Sequence, residues 1–173
     1  MIADPPDAGR LGKTADRFSI GVTGASVFWN KARIPYRVDD SLVRQVGRWR
    51  LIDADVAYAI LYWNGFFPGL FVERTNEADY VTIRRVDTGC YANVDGRDGG
   101  EQFVNLATSC STGNIVHELG HVIGLHHEQT REDRDDFVQI VWSNILNGKE
   151  PQFEQHNSQR QDIGPYDYGS MMH

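Results

Sequence analysis

The residues best suited to chemistry lie together, as His117-Glu118-Leu119-Gly120-His121-Val122-Ile123-Gly124-Leu125-His126-His127. On a helix, His117 and His121 sit four residues apart, so their imidazoles leave one face and can close on one ion. Neutral imidazole nitrogens at about 2.0–2.1 Å suit Zn²⁺, and a catalytic zinc keeps three protein ligands and one open position. Glu118 follows the first histidine, where its carboxylate can reach a water on such a metal. Gly124 tolerates positive φ, so it can end the helix and turn the chain back. That turn brings His127 round as the third ligand. A downstream Glu150 or Glu154 in that role is the weaker reading, because His127 already stands in place.

With six histidines in the chain, HExxH arises by chance roughly once in a hundred such sequences, and the Gly and third His lower that about a thousandfold. Surface histidines satisfied by solvent are therefore a poor account of the pattern. The neighbours Ile115, Val116, Leu119, Val122, Ile123 and Leu125 would bury this helix. Imidazoles on its buried side need a partner, and a metal supplies one.

The elements that must position this segment can be read around it. Ser111-Thr112 marks the start of the helix, which runs to about Gly124. A glycine-rich turn from Asp95 to Gly100 leads into a strand from Gln102 to Leu106, and strand-like runs also cover Leu70 to Glu73 and Tyr80 to Arg84. Ile34-Pro35-Tyr36-Arg37-Val38 alternates like a strand, with Pro35 favouring an edge position. Asp39-Asp40-Ser41 then offers a helix cap. Leu42, Val46, Trp49, Ile52, Val56, Ile60 and Trp63 recur at steps of three or four and predict one long helix. Asn64-Gly65 and Pro68-Gly69 end it. Residues 1–28 have no sustained periodicity and read as a lead-in or residual pro-segment; residues 29–173 read as one domain.

Composition agrees with one folded unit. The chain has 173 residues, 40% of them hydrophobic, and 17 Lys+Arg against 24 Asp+Glu, a formal net charge of −7. Chains of about 150 residues bury roughly 70% of their unfolded surface, enough for a core. The acidic balance excludes a basic nucleic-acid footprint and disfavours docking on anionic membranes. The apolar run from Val56 to Val72 is interrupted by Asn64-Gly65 and Pro68-Gly69 and falls short of the ~20 residues that cross a bilayer. Met1-Ile2-Ala3-Asp4-Pro5-Pro6-Asp7 lacks the basic and apolar regions of a secretory signal.

Beyond the first histidines the sequence continues His127-Glu128-Gln129-Thr130-Arg131-Glu132-Asp133-Arg134-Asp135, and it closes on Ser170-Met171-Met172-His173. Here the chain resembles the astacin family of metzincin zinc endopeptidases, whose motif is HExxHxxGxxHExxRxDRD and whose methionine turn looks like Ser-x-Met-His. The resemblance runs from about Trp29 to the last residue. It implies an α+β, zincin-like fold: a twisted mixed sheet, a long backing helix and an active-site helix, with the lower subdomain largely missing. It implies one catalytic Zn²⁺ held by His117, His121 and His127, with Glu118 as general base and Met172 as the floor beneath the metal.

The family pairs the carboxylate after the third histidine, here Glu128, with a freed mature N-terminus. A salt bridge of Glu128 with Arg131 or Arg134 is the alternative. Arg131, Asp133, Arg134 and Asp135 read as a structural ion-pair network, His126 as packed and His156 as solvated. Cys90 and Cys110 match a disulfide of the family, which would contribute about 3 kcal/mol in the chain-entropy model; two buried thiols are the alternative. Pro68 stands where a second disulfide would begin.

The resemblance further implies a protein or peptide substrate, extended along Gln102 to Leu106 as an edge strand, and a secreted monomer binding no nucleic acid. The family's transition-state tyrosine would fall immediately after His173, so the chain reads as cut inside the methionine turn, and Tyr166 and Tyr168 have counterparts of their own. Two functions follow as expectations. One is a zinc endopeptidase; the other is an impaired or latent zinc-binding fragment or precursor, with Asp4, Asp7 or Asp16 of the lead-in blocking the metal.

Overall fold

The structure, a computed structural model, describes residues 20–22, 28–155 and 160–173. Its centre is a five-stranded sheet built from β2 (Ile34–Val38), β5 (Phe71–Glu73), β6 (Tyr80–Arg85), β7 (Cys90–Ala92) and β8 (Glu101–Leu106), in the order β5-β2-β6-β8-β7. All pairings are parallel except β7 with β8. Val81, Ile83, Val104 and Leu106 are fully buried, which explains the apolar runs in the inner strands. Two α-helices, α1 (Ala54–Phe66) and α2 (Thr112–Ile123), pack on each other and against the sheet. The indole of Trp63 on α1 donates to the Val116 carbonyl on α2 at 2.9 Å, so the helices are tied by a buried hydrogen bond as well as by contact. This is the expected α+β fold with a mostly parallel sheet. No helix among the described residues is long and apolar enough to cross a membrane.

Three expectations need correction. The long helix from Leu42 is half as long. Its first part is a short turn at Asp40–Leu42 followed by a hairpin of β3 (Val43–Val46) and β4 (Trp49–Ile52), with Val43 opposite Ile52 and Val46 opposite Trp49. Gly47, at φ +59°, makes the reversal there. The helix begins at its own cap, Asp53, whose side chain accepts from the N–H groups of Asp55 and Val56. Asp39 caps only the short turn.

Pro35 does not mark an edge, since β2 lies between β5 and β6. Ile34 and Tyr36 bond to the β5 side, through Ile34 N–H to Leu70 O and Arg74 N–H to Tyr36 O. Pro35 therefore faces β6, whose pairing starts only at Tyr36 opposite Val81.

The strand at Gln102 to Leu106 is not an edge either. β8 is flanked by β6 and by β7, a strand of three residues that the sequence did not signal, and β7 is the edge.

Two further pieces frame the helices. Strands β1 (Ile20–Val22) and β9 (Arg160–Asp162) pair antiparallel, and Gly21 bridges to Leu125 just after α2. The Cys90–Cys110 disulfide forms, linking β7 to the segment that enters α2.

Candidate metal centre

Helix α2 is set at both ends by local chemistry. Ser111 accepts the Asn114 N–H and Asn114 returns the bond to the Ser111 N–H, a reciprocal cap. Gly124 takes φ 107°, its N–H and that of Leu125 return to carbonyls of the last turn, and the chain reverses. His127 thereby comes back against the helix.

The three histidines converge. The Nε2 atoms of His117 and His127 are 3.0 Å apart, and those of His121 and His127 are 3.2 Å apart. One ligand atom from each lies within 4.8 Å of the others. Four-coordinate zinc with Zn–N of 2.0–2.1 Å separates two nitrogens by roughly 3.3 Å, so the spacing suits such an ion. The outer nitrogens are occupied elsewhere: His117 Nδ1 lies 2.7 Å from Met171 O and His121 Nδ1 lies 2.9 Å from Leu125 O. A carbonyl only accepts, so each Nδ1 carries the proton and each Nε2 turns a lone pair inward. Lone pairs at such distances repel unless a cation lies among them, and this donor set therefore fits a zinc ion.

The electrostatics favour the neutral ligand form at two positions. Burial, together with His121 and His117 beside it, depresses the His127 imidazole to about 4. Burial also lowers His117. At His121 burial pulls down, but the hydrogen bond and charge of Asp95 outweigh it and the net direction is up.

Glu118 is nearly buried and accepts the Ala92 N–H of β7 at 2.8 Å. Its burial raises its pKa against the pull of that hydrogen bond. It lines a cleft of about 760 Å³ together with the three histidines, Tyr91, Ala92, Asn93, Asp95 and Gln152. Along β7 the pairs 89–107 and 93–103 bond to β8, so the peptide groups of Cys90 and Ala92 point out of the ladder toward this cleft.

Met172 is buried against α2, and a Cβ on Gly120 would stand 2.5 Å from its sulfur, so a larger residue there would have to displace the Met172 side chain. The same turn accepts the His117 Nδ1–H at Met171 O and the Glu128 N–H at Met172 O. Glu128 is fully buried; one oxygen accepts the Asp167 N–H at 2.8 Å and lies 3.6 Å from Arg131, and the other has no hydrogen-bond partner among the described residues. Burial pushes its carboxyl up to about 7.

Arg131 clasps Asp133 through two 2.7 Å contacts, and Arg134 bonds Asp135, Gln129 O and Phe153 O. Removing Arg131 strands Glu128 in the core. Arg131→Ala is expected to cost about 3–5 kcal/mol, read from urea unfolding at fixed pH. A loss near the roughly 0–1 kcal/mol of a surface pair would contradict this.

The remaining readings sort as follows. His126 is buried with its Nδ1 3.4 Å from Asp95, and it is not one of the three converging histidines. His156 and the lead-in residues Asp4, Asp7 and Asp16 lie outside the described residues. Glu150 and Glu154 do not join the histidines, although Gln152 between them lines the cleft. Tyr166 bonds His173 and Tyr168 donates to Phe137 O, so both hydroxyls are engaged away from His117, His121 and His127. Asp95 has no signal in the sequence, because in Asn93-Val94-Asp95-Gly96 it reads only as a turn residue.

A mostly parallel sheet, a buried helix carrying two histidines and a third returned by a glycine turn together define a candidate three-histidine metal centre. The family model Astacin, a peptidase family, matches residues 21–173, and the chain belongs to that family. High choriolytic enzyme 1 of Oryzias latipes is 36% identical over 172 residues, covering 95% of this chain and 60% of that protein. Zinc metalloproteinase nas-13 of Caenorhabditis elegans is 40% identical over 148 residues, covering 84% of this chain and 31% of that protein. The chain thus spans 60% and 31% of the lengths of these relatives. A solved structure of high choriolytic enzyme 1, a hatching enzyme zinc-protease, superposes with a TM-score of 0.69 at 32% identity, covering 90% of this chain and 76% of that one.

Proposed function

We propose that residues 29–173 form the catalytic domain of a zinc-dependent endopeptidase acting on protein substrates. The observation that carries this reading is the convergence of three imidazole nitrogens beside the Glu118 carboxylate, in an open cleft bordered by a strand edge. His117, His121 and His127 would hold one Zn²⁺. When bound, such an ion polarises the scissile carbonyl and lowers the pKa of its water toward about 7.

The chain's own residues do the rest. An extended peptide adds to β7 through the outward peptide group of Cys90 and the Ala92 carbonyl, while the Ala92 N–H stays with Glu118; such main-chain pairing gives affinity without demanding one sequence. Glu118 takes the proton of the attacking water and hands it to the leaving amine. A carboxylate raised by burial is suited to that exchange, because a general base works best near the operating pH. The Ala92 N–H fixes one oxygen of Glu118 and leaves the other to the cleft. Met172 and its turn support the site from below by holding His117 and Glu128.

The buried oxygen of Glu128 is a suitable seat for the amine of a processed N-terminus, the role family likeness suggests. The Cys90–Cys110 disulfide supports export to an oxidising compartment, where the domain would work as a monomer. Hydrolysis of denatured casein tests the reading: chelation is expected to abolish it and zinc to restore it. Hydrolysis undiminished by metal removal would overturn it.

A further inference from the structure

We propose that Asp95 is a positioning residue of this metal centre: its carboxylate orients His121 for the ion and secures His126 behind it. The proposal rests on the zinc-peptidase reading above and extends it to a residue outside the histidine motif.

Asp95 lies in the turn between β7 and β8. One carboxylate oxygen is 3.2 Å from His121 Nδ1, sharing that N–H with Leu125 O. The other oxygen is 3.4 Å from Nδ1 of the buried His126 and 3.4 Å from Nη2 of Arg160, which reaches in from β9. The next residue completes the grip, since the Gly96 N–H donates to the His121 carbonyl at 2.8 Å. One turn therefore takes hold of a ligand at both its side chain and its main chain.

His117 has only a neutral carbonyl, Met171 O, at its outer nitrogen. His121 has a charged acceptor there as well. Charge-assisted hydrogen bonds are roughly twice as strong as neutral ones. A carboxylate behind a ligating imidazole fixes the tautomer and ring orientation and makes the inner nitrogen a better donor. Arg160 and His126 engage the second oxygen and keep the carboxylate turned toward the back of the ring. The β1–β9 ribbon is thereby connected, through Arg160 and Asp95, to a ligand of the ion.

The test compares wild type, Asp95→Asn, Asp95→Glu and, as a control in the exposed loop after β6, Asp87→Asn. Zinc affinity is measured by competition with a chromophoric chelator, the Co²⁺ derivative is examined by its d–d spectrum, and the metal-free chain is melted. Asp95→Asn is expected to bind zinc about 10–100-fold more weakly and to shift the cobalt bands, with the melting point of the metal-free chain unchanged. Asp95→Glu should recover most of the affinity and Asp87→Asn all of it. Wild-type affinity and an unshifted cobalt spectrum in Asp95→Asn would overturn the proposal. If Asp95→Asn also melts earlier, Asp95→Glu decides: regained affinity supports positioning, and no recovery overturns it. Wild type that binds no zinc, or binds it equally well after His121→Ala, overturns the metal-centre reading and the role of Asp95 with it.

Discussion

Glu118→Gln is expected to slow hydrolysis of a denatured protein by roughly 10²–10⁴-fold, the usual contribution of a positioned general base, while leaving zinc content unchanged. Two features separate these effects. Glu118 is not among the converging nitrogens, so its charge is not needed to hold the ion. Its hydrogen-bond partner is the Ala92 N–H, which a glutamine oxygen accepts equally well, so the edge strand and the helix keep their arrangement. The loss should therefore appear in kcat with little change in unfolding temperature. Full activity in this variant would remove Glu118 from the mechanism.

His127→Ala should have the second large effect, and in a different quantity. His127 closes the distance to both other ligands, at 3.0 and 3.2 Å, and it is brought back by the glycine turn rather than by the helix itself. Without it, His117 and His121 remain as a two-ligand site. Zinc affinity should fall by more than the roughly 10–100-fold that follows loss of an outer-shell partner. Hydrolysis should follow the loss and return only in part at high zinc. The fold should survive, since the imidazole is only partly buried and packs among the other histidines rather than in the apolar core. Unchanged affinity would mean that the ion, if bound, sits elsewhere.

Much of the centre was legible because its chemistry dictates residue types at fixed spacing. His117, His121, Gly124 and His127 each have a mechanical reason visible in one dimension. The Ser111 cap and the Gly124 turn obey local rules that hold before any tertiary contact forms. Strands β2, β5, β6 and β8 were legible for the same reason, as alternation and apolar runs.

Neighbour relations were not. Leu42, Val46, Trp49 and Ile52 are spaced as a helix face, yet they lie on two paired strands and the turn before them, and only Gly47 and the second cap at Asp53 hint at the break. β7 has three residues, too few for a pattern, and its presence is what turns β8 from an edge into an inner strand. Asp95 had no signal at all. Its importance comes from where the turn places it, against His121, His126 and Arg160, which are 26, 31 and 65 residues further along the chain.

The most direct test of the central claim is a titration of the metal-free chain with zinc, following hydrolysis of denatured casein. Activity should rise in proportion to added zinc and break at one ion per chain. Activity already present before zinc is added, or none when the chain carries one equivalent, would contradict it.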